Sequence, residues 1–232
     1  MSHECVDVIL PVHNALEYVK ACVESLYQHT PSFGRLIIVD DFSDEQTRSF
    51  LYGPECLGRN RRNIYIRNNS QRWFTRASNT GLRLVETPRA VLLNSDVVLN
   101  SGWLEELQDV WADFESKFPP RKVGLVGDWG NPHIPFRYQE TQEPNYVTGH
   151  LWLISMQALQ EVSVARGDPG RYLNELRPDT IHISSDRIGC YEMNKAGYAT
   201  VAAYKTPCGH HGGKSWSYDL GRVRAIRLED VD

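Results

Sequence analysis

The sequence predicts an α/β fold: a mostly parallel central sheet flanked by helices, followed by an irregular second half. Three observations predict it. Short, continuous apolar runs recur at 6–12, 35–39 and 90–99, and such runs read as strands buried on both faces. Between them lie segments with apolar residues at helical spacing, so β and α alternate as far as residue 118, the pattern of a parallel sheet covered on both sides. The strands also end in polar or acidic residues, Asp40-Asp41 and Asn94-Ser95-Asp96. That is the edge at which open α/β sheets bind ligands.

The elements follow in order. Residues 6–12 form a first strand, turned by His13-Asn14. Leu16, Val19, Cys22, Val23 and Leu26 give 15–28 a helical period. A buried strand at 35–39 follows, completing a βαβ unit. A helix is expected over 45–57, a short strand over 64–68 and a helix over 75–86. The run 90–99 reads as one strand through Asn94-Ser95-Asp96. Trp103, Leu104, Leu107, Val110, Trp111 and Phe114 make 102–118 an amphipathic helix, ended by Pro119-Pro120. Beyond it come a strand at 123–127, a long loop at 128–145 and an apolar stretch at 151–154. A helix near 157–164 and a Gly-Asp-Pro-Gly turn at 167–170 come next. Ser184-Ser185-Asp186 offer N-cap chemistry to a helix over 187–196, and a last strand covers 200–204.

The chain has 232 residues, 41% hydrophobic and 23% charged, with a formal net charge of −4. This is an ordinary globular balance, large enough to bury a core without disulfides. No global basic field attracts nucleic acid or anionic membrane; the local Arg59-Asn60-Arg61-Arg62 run reads as a solvated loop. The five cysteines form no CxxC pair, which argues against a disulfide framework or structural zinc and for a reducing compartment. No signal peptide or membrane-length apolar run is visible, and a cytoplasmic location is expected.

The chemistry-bearing residues each have a bland alternative. Asp40-Asp41 also suit a turn, Asp96 a capped strand end, Asp186 a helix cap, and His210-His211 a polar turn beside Gly212-Gly213. Taken together, carboxylates and an imidazole suit a divalent metal, and a metal at a strand edge suits a diphosphate. Trp129, Trp152 and Trp216 are candidates to stack on a sugar or a base, although large aromatics are more often core. After the first strand there is no GxGxxG, and nowhere a GxxxxGK[ST] or a GxSxG. Dinucleotide, P-loop and nucleophile-elbow chemistries are thereby excluded.

Several motifs in order along the chain resemble those of a family 2 glycosyltransferase of GT-A fold, over about residues 5–218. Asp7-Val8-Ile9-Leu10-Pro11-Val12-His13-Asn14 resembles that family's opening strand, and Val39-Asp40-Asp41-Phe42-Ser43 its nucleotide motif. Arg76-Ala77-Ser78-Asn79-Thr80-Gly81 is similar to its Ala-x-Asn-x-Gly helix, and Asn94-Ser95-Asp96 to its DxD in an Asn-x-Asp form. Ser185-Asp186 stands where the family has Glu-Asp or Gly-Asp, followed by Lys195-Ala196-Gly197-Tyr198. His210-His211-Gly212-Gly213-Lys214-Ser215 is similar to its His-x-Gly-Gly-x-Ser. The QxxRW of processive synthases is absent.

The resemblance implies a single GT-A domain over 1–232, with 1–118 binding the nucleotide sugar and 119–232 carrying the acceptor site and catalysis. It implies inverting transfer of one sugar from a nucleotide sugar, UDP-linked for preference, to an acceptor hydroxyl. Asp41 would accept from the base, with Pro11, His13, Arg76, Asn79 and Ser95 in donor-facing motif positions. Asp96 and His210 would hold Mn²⁺ or Mg²⁺, Lys214 or Ser215 would touch phosphate, and Asp186 would be the general base. The acceptor, whether glycan, small molecule or modified nucleic acid, is not specified; the 128–145 loop and Gly149-His150-Leu151-Trp152 are expected to line its site. A transferase acting on modified nucleic-acid bases and a catalytically silent nucleotide-sugar-binding module are the alternative readings.

Overall fold

The structure, a computed structural model, describes residues 4–30, 32–128, 147–174, 185–203 and 208–211. Strand β1 (Asp7–Val12) shows why the sheet forms. Val8, Leu10 and Val12 face one core while Ile9 faces the other, and all are fully buried. A strand apolar on both faces needs cover on both sides. Around it a seven-stranded sheet assembles in the order β3-β2-β1-β4-β7-β6-β8. Its strands are β2 (Leu36–Asp40), β3 (Ile64–Arg67), β4 (Arg89–Leu93), β6 (Lys122–Asp128), β7 (Leu151–Ser155) and β8 (Tyr198–Ala203). Pairings β1–β2, β1–β4, β2–β3 and β6–β8 are parallel; β7 alone runs antiparallel to its neighbours β4 and β6.

Helices cover both faces. On one, α1 (Leu16–His29) brings Val19, Cys22, Val23 and Leu26, and α4 (Trp103–Lys117) brings Trp103, Leu107, Trp111 and Phe114. On the other lie α3 (Trp73–Leu82), α5 (Met156–Ala165) and α6 (Ser185–Lys195). Helix α3 approaches β1 so closely that a Cβ on Gly81 would overlap Ile9 and sit 3.1 Å from Val39 Cγ2. Asp7, at the start of β1, receives the buried Arg35 guanidinium at 2.7 Å and the Glu86 N–H at 3.0 Å. Burial alone would raise its pKa, but the Arg35 hydrogen bonds and charge and the Glu86 N–H outweigh it, so its carboxyl lies below the usual value. All five cysteines are unpaired thiols. No helix among the described residues is long and apolar enough to cross a membrane.

Four expectations need correction. The run 90–99 is two strands: β4 stops at Leu93, and β5 (Val97–Leu99) pairs in a separate ribbon with β9 (Cys208–His210). The intervening turn, closed by Val97 N–H to Asn94 C=O at 3.3 Å, redirects the chain. Helix α2 (Glu45–Tyr52) stops before Gly53-Pro54 rather than reaching 57, because proline cannot continue it. Helix α3 begins at Trp73 rather than 75 because the Asp41 carboxylate caps its first N–H groups. Helix α6 includes Asp186 in its first turn instead of leaving it outside as a cap.

Candidate active site

The C-terminal edge of the parallel strands gathers the candidate residues. After β1 the chain turns through His13, Asn14 and Ala15. The Asn14 amide oxygen accepts the Asp44 N–H at 2.7 Å, so its NH₂ faces His13 Nε2 at 3.2 Å. That nitrogen is therefore the acceptor, and Nδ1–H donates to the Asp41 carbonyl at 2.8 Å. Pro11 is buried in β1. Its missing N–H costs no ladder bond: Val8 N–H points to β2, so position 11 points to β4, where pairing has ended at Ile9.

Asp40 and Asp41, at the end of β2, are fully buried. Asp40 accepts the Ser43 N–H and the Tyr65 hydroxyl, each at 2.7 Å, and pairs with Arg67. Burial and the Asp40 partner push the Tyr65 phenol up to about 12. The two oxygens of Asp41 take Asn68 Nδ2 at 2.6 Å, Arg72 N–H at 2.9 Å and Trp73 N–H at 2.8 Å. The resemblance gives Asp41 to a base; as placed, its carboxylate closes the turn into α3. Among the described residues, left-handed backbone at non-glycine positions occurs at Asn14, Ala15, Phe42 and Trp73. Phe42 follows Asp41, the Trp73 N–H binds its carboxylate, and Asn14-Ala15 follow His13, whose ring binds its carbonyl. Such geometry costs about 1–3 kcal/mol each and persists where surroundings over-determine it, often at ligand sites. The Phe42 and Trp73 rings are exposed beside it.

Asn79 serves the fold. Its amide donates to Leu173 C=O and accepts Leu173 N–H, both at 2.8 Å, in full burial. The resemblance gives it a donor-facing role; as placed, its amide is fully buried in this clamp. With Gly81 letting α3 onto the sheet, this motif is explained by packing. Arg76, one turn earlier, is exposed. Gly197 of the Lys-Ala-Gly-Tyr motif stops α6 at φ +87°.

The end of β4 differs in kind. Ser95 is buried at 1% exposure and Asp96 at 3%. Asp96 Oδ1 lies 3.3 Å from His210 Nε2, delivered by β9. It is His210 that faces the carboxylate; the His211 ring packs edge-on against Tyr18 at 5.1 Å. Two metal bonds of about 2.0–2.2 Å from one divalent ion put neighbouring donors about 3 Å apart, so the pair fits a shared cation. Among the described residues no three His, Cys, Asp or Glu side chains converge to hold one, so the remaining positions would fall to ligand and water. Asn94 Oδ1, at the other acid position of the DxD, is buried with no donor partner among the described residues.

The antiparallel direction of β7 brings its N-terminus to this same edge, where Leu151 pairs with Leu93. His150, just before it, accepts the Asn94 N–H through its carbonyl at 2.9 Å and stacks on His210, with centroids 4.3 Å apart and planes 11° apart. Gly149 N–H donates to Asp186 Oδ2 at 3.0 Å. A Cβ on Gly149 would lie 2.9 Å from Asp186 Cβ, so glycine permits this approach. The candidate base thus sits one dipeptide from the candidate metal ligand. The sequence points to the Gly149-His150-Leu151-Trp152 segment as lining the acceptor site; the stacking of His150 on His210 carries no sequence signal. Trp152 is core at 1% exposure. Glu192 is held by Arg166 at 2.7 Å and by Asn174 at 3.1 Å. Burial, only partly offset by Arg166, raises its pKa. Lys214, Ser215, Trp129, Trp216 and the 128–145 loop beyond Asp128 lie outside the described residues.

The fold is shared with known enzymes. The profile of glycosyl transferase family 2 matches residues 7–162, and the chain belongs to that family. In Staphylococcus epidermidis, a teichoic acid poly(glycerol phosphate) polymerase is 33% identical over 95 residues, 40% of this chain and 13% of that protein. A Bacillus subtilis protein named as a glycosyltransferase of teichuronic acid biosynthesis, TuaG, is 27% identical over 127 residues, 55% of this chain and 50% of that one. The chain thus spans half or less of these relatives. Among solved structures, the mannosyltransferase PcManGT from Pyrobaculum calidifontis, in complex with GDP-Man and Mn²⁺, superposes with a TM-score of 0.60 at 16% identity. That match covers 90% of this chain and 57% of the other. S. aureus TarS 1-349 gives 0.62 at 13% identity, covering 88% and 59%. The likeness establishes the GT-A fold.

Proposed function

We propose that the chain is an inverting, metal-dependent glycosyltransferase that moves one sugar from a nucleotide diphosphate sugar, UDP-linked for preference, to an acceptor hydroxyl. The observation that carries it is the meeting at one sheet edge of the Asp96–His210 pair and Asp186, joined through Gly149-His150. A divalent ion held by Asp96 and His210 would neutralise charge on the departing nucleotide diphosphate. Asp186, its carboxylate oriented by the Gly149 N–H, accepts the proton of the acceptor hydroxyl. The hydroxyl oxygen bonds to the anomeric carbon from the face opposite the leaving group, which departs with the bonding electrons, so the configuration inverts. The donor base is expected against the His13–Asp41–Trp73 cluster, where the exposed Phe42 and Trp73 rings offer stacking faces. Reading a base through Asp41 itself would require the Arg72–Trp73 turn to release its carboxylate. The names of the relatives favour a glycan-type polymer as acceptor.

The test is a panel of UDP-, GDP- and dTDP-sugars, each with and without Mn²⁺, read by melting temperature. A ligand that binds only the folded chain raises it. The UDP-sugar with Mn²⁺ should give the largest shift, and EDTA should remove most of it. An equal shift without a divalent ion would overturn the metal reading; a larger GDP or dTDP shift would overturn the choice of donor.

A further inference from the structure

We infer that His150 is a positioning residue for His210, and that the Gly149-His150 dipeptide sets the metal ligand and the general base in register with each other. The inference rests on the proposed Asp96–His210 metal site. His210 sits on a three-residue strand whose described partner is β5 alone, and its side chain is 30% exposed. An imidazole there keeps two soft torsions, and a ligand free to rotate binds metal poorly. The His150 ring lies parallel to it at 4.3 Å and 11°, in face-to-face contact, which restricts the plane of the His210 ring. His150 can serve as that wall because it is itself fixed. It is 5% exposed, and its carbonyl is tied to the Asn94 N–H at the end of β4. The preceding N–H holds the Asp186 carboxylate. Two adjacent residues therefore orient the base on one side and the ligand on the other. A shift of this dipeptide would move both.

Mn²⁺ binding, alone and with UDP, read by the loss of the free-ion electron paramagnetic resonance signal, tests this in four chains: wild type, His210→Ala, His150→Leu and His150→Phe. Leucine fills the buried volume without a flat face; phenylalanine keeps the face without a ring nitrogen. His150→Leu should weaken Mn²⁺ binding by about 10–100-fold, the usual effect of removing a group that orients a ligand, while His150→Phe should stay within about threefold of wild type. Metal-free melting temperatures confirm that all four fold. Wild-type-like binding in His150→Leu, or equal loss in His150→Phe, would overturn the positioning role. A wild-type chain that binds no Mn²⁺, or a His210→Ala chain that binds it normally, would instead overturn the metal site beneath it.

Discussion

Two strands flanking β1 lead into aspartates, and the fold surrounds them differently. At the end of β2, Asp40 and Asp41 are surrounded by protein donors: Ser43, Tyr65 and Arg67 for the first, Asn68, Arg72 and Trp73 for the second. At the end of β4, Asp96 faces an imidazole from a distant segment, and the neighbouring Asn94 oxygen is left unmatched among the described residues. The difference lies in what converges. Main-chain N–H groups of a following helix turn a buried carboxylate into a cap, whereas a histidine on a separate ribbon faces the other, the pair proposed above to hold a cation. A residue type at a strand end does not by itself announce a catalytic role.

The largest effect that sharpens this contrast is expected at a third acid. Asp186→Asn keeps the shape and the first-turn position but cannot take a proton. Transfer should fall by about 10²–10⁴-fold, the usual worth of a general base, with the melting temperature and Mn²⁺ binding unchanged. Transfer rates near wild type, measured once an acceptor is known, would remove Asp186 from the mechanism.

The comparison itself is broken or upheld by a matched pair. Asp41→Ala strands the Asn68 amide and two helix-start N–H groups, costing about 2–4 kcal/mol from a lost cap and an unmatched buried donor. In a chain of this size that lowers the melting temperature by about 5–15 °C. Asp96→Asn should cost less stability yet weaken Mn²⁺ binding beyond the 10–100-fold typical of supporting residues. Calorimetry on both variants decides; a stability loss larger in Asp96→Asn than in Asp41→Ala would reverse the assignment.

The smallest effect concerns Asp7. Its folded pKa is depressed below 3.8, so its pairing with Arg35 contributes stability above that pH and loses it as pH falls through the folded value. Asp7→Asn should therefore flatten the acid limb of the stability curve below about pH 3.8 while leaving metal binding alone. An unchanged acid limb in urea titrations would show that the pairing is matched in the unfolded chain.

Much of the fold was legible because buried parallel strands advertise themselves as apolar runs: β1, β2 and β4 carry nothing polar except the terminal Asp7, Asp40 and Arg89. Strand direction is not written in such a run, so nothing in 151–155 signalled that β7 reverses. The three-residue strands β5 and β9 are too short to show a period. Asp96 and His210 were read through the family resemblance, and the structure brings them within 3.3 Å. Asn79 and Asp41 have donor-facing roles only through the same resemblance, and the structure shows them in a clamp and a cap, which use the same side chains as a binding group. Only the partners tell them apart, and those partners lie as far as 94 positions along the chain.

The β5–β9 ribbon has a consequence for the timing of turnover. Three residue pairs, Val97 with His210 among them, and the His211 N–H to Asp96 C=O bond at 3.1 Å hold it, and a two-stranded ribbon of that length is marginal by itself. It should open locally at a free energy well below that of unfolding the sheet. Each opening withdraws His210 from Asp96 while β4 and β7 stay intact. If the pair holds the nucleotide's metal as proposed, release would proceed through a small local fluctuation instead of a domain motion, and its rate would limit kcat where chemistry is fast. Amide hydrogen exchange is expected to be faster at 208–210 than at 90–92, and to slow when nucleotide and metal are bound.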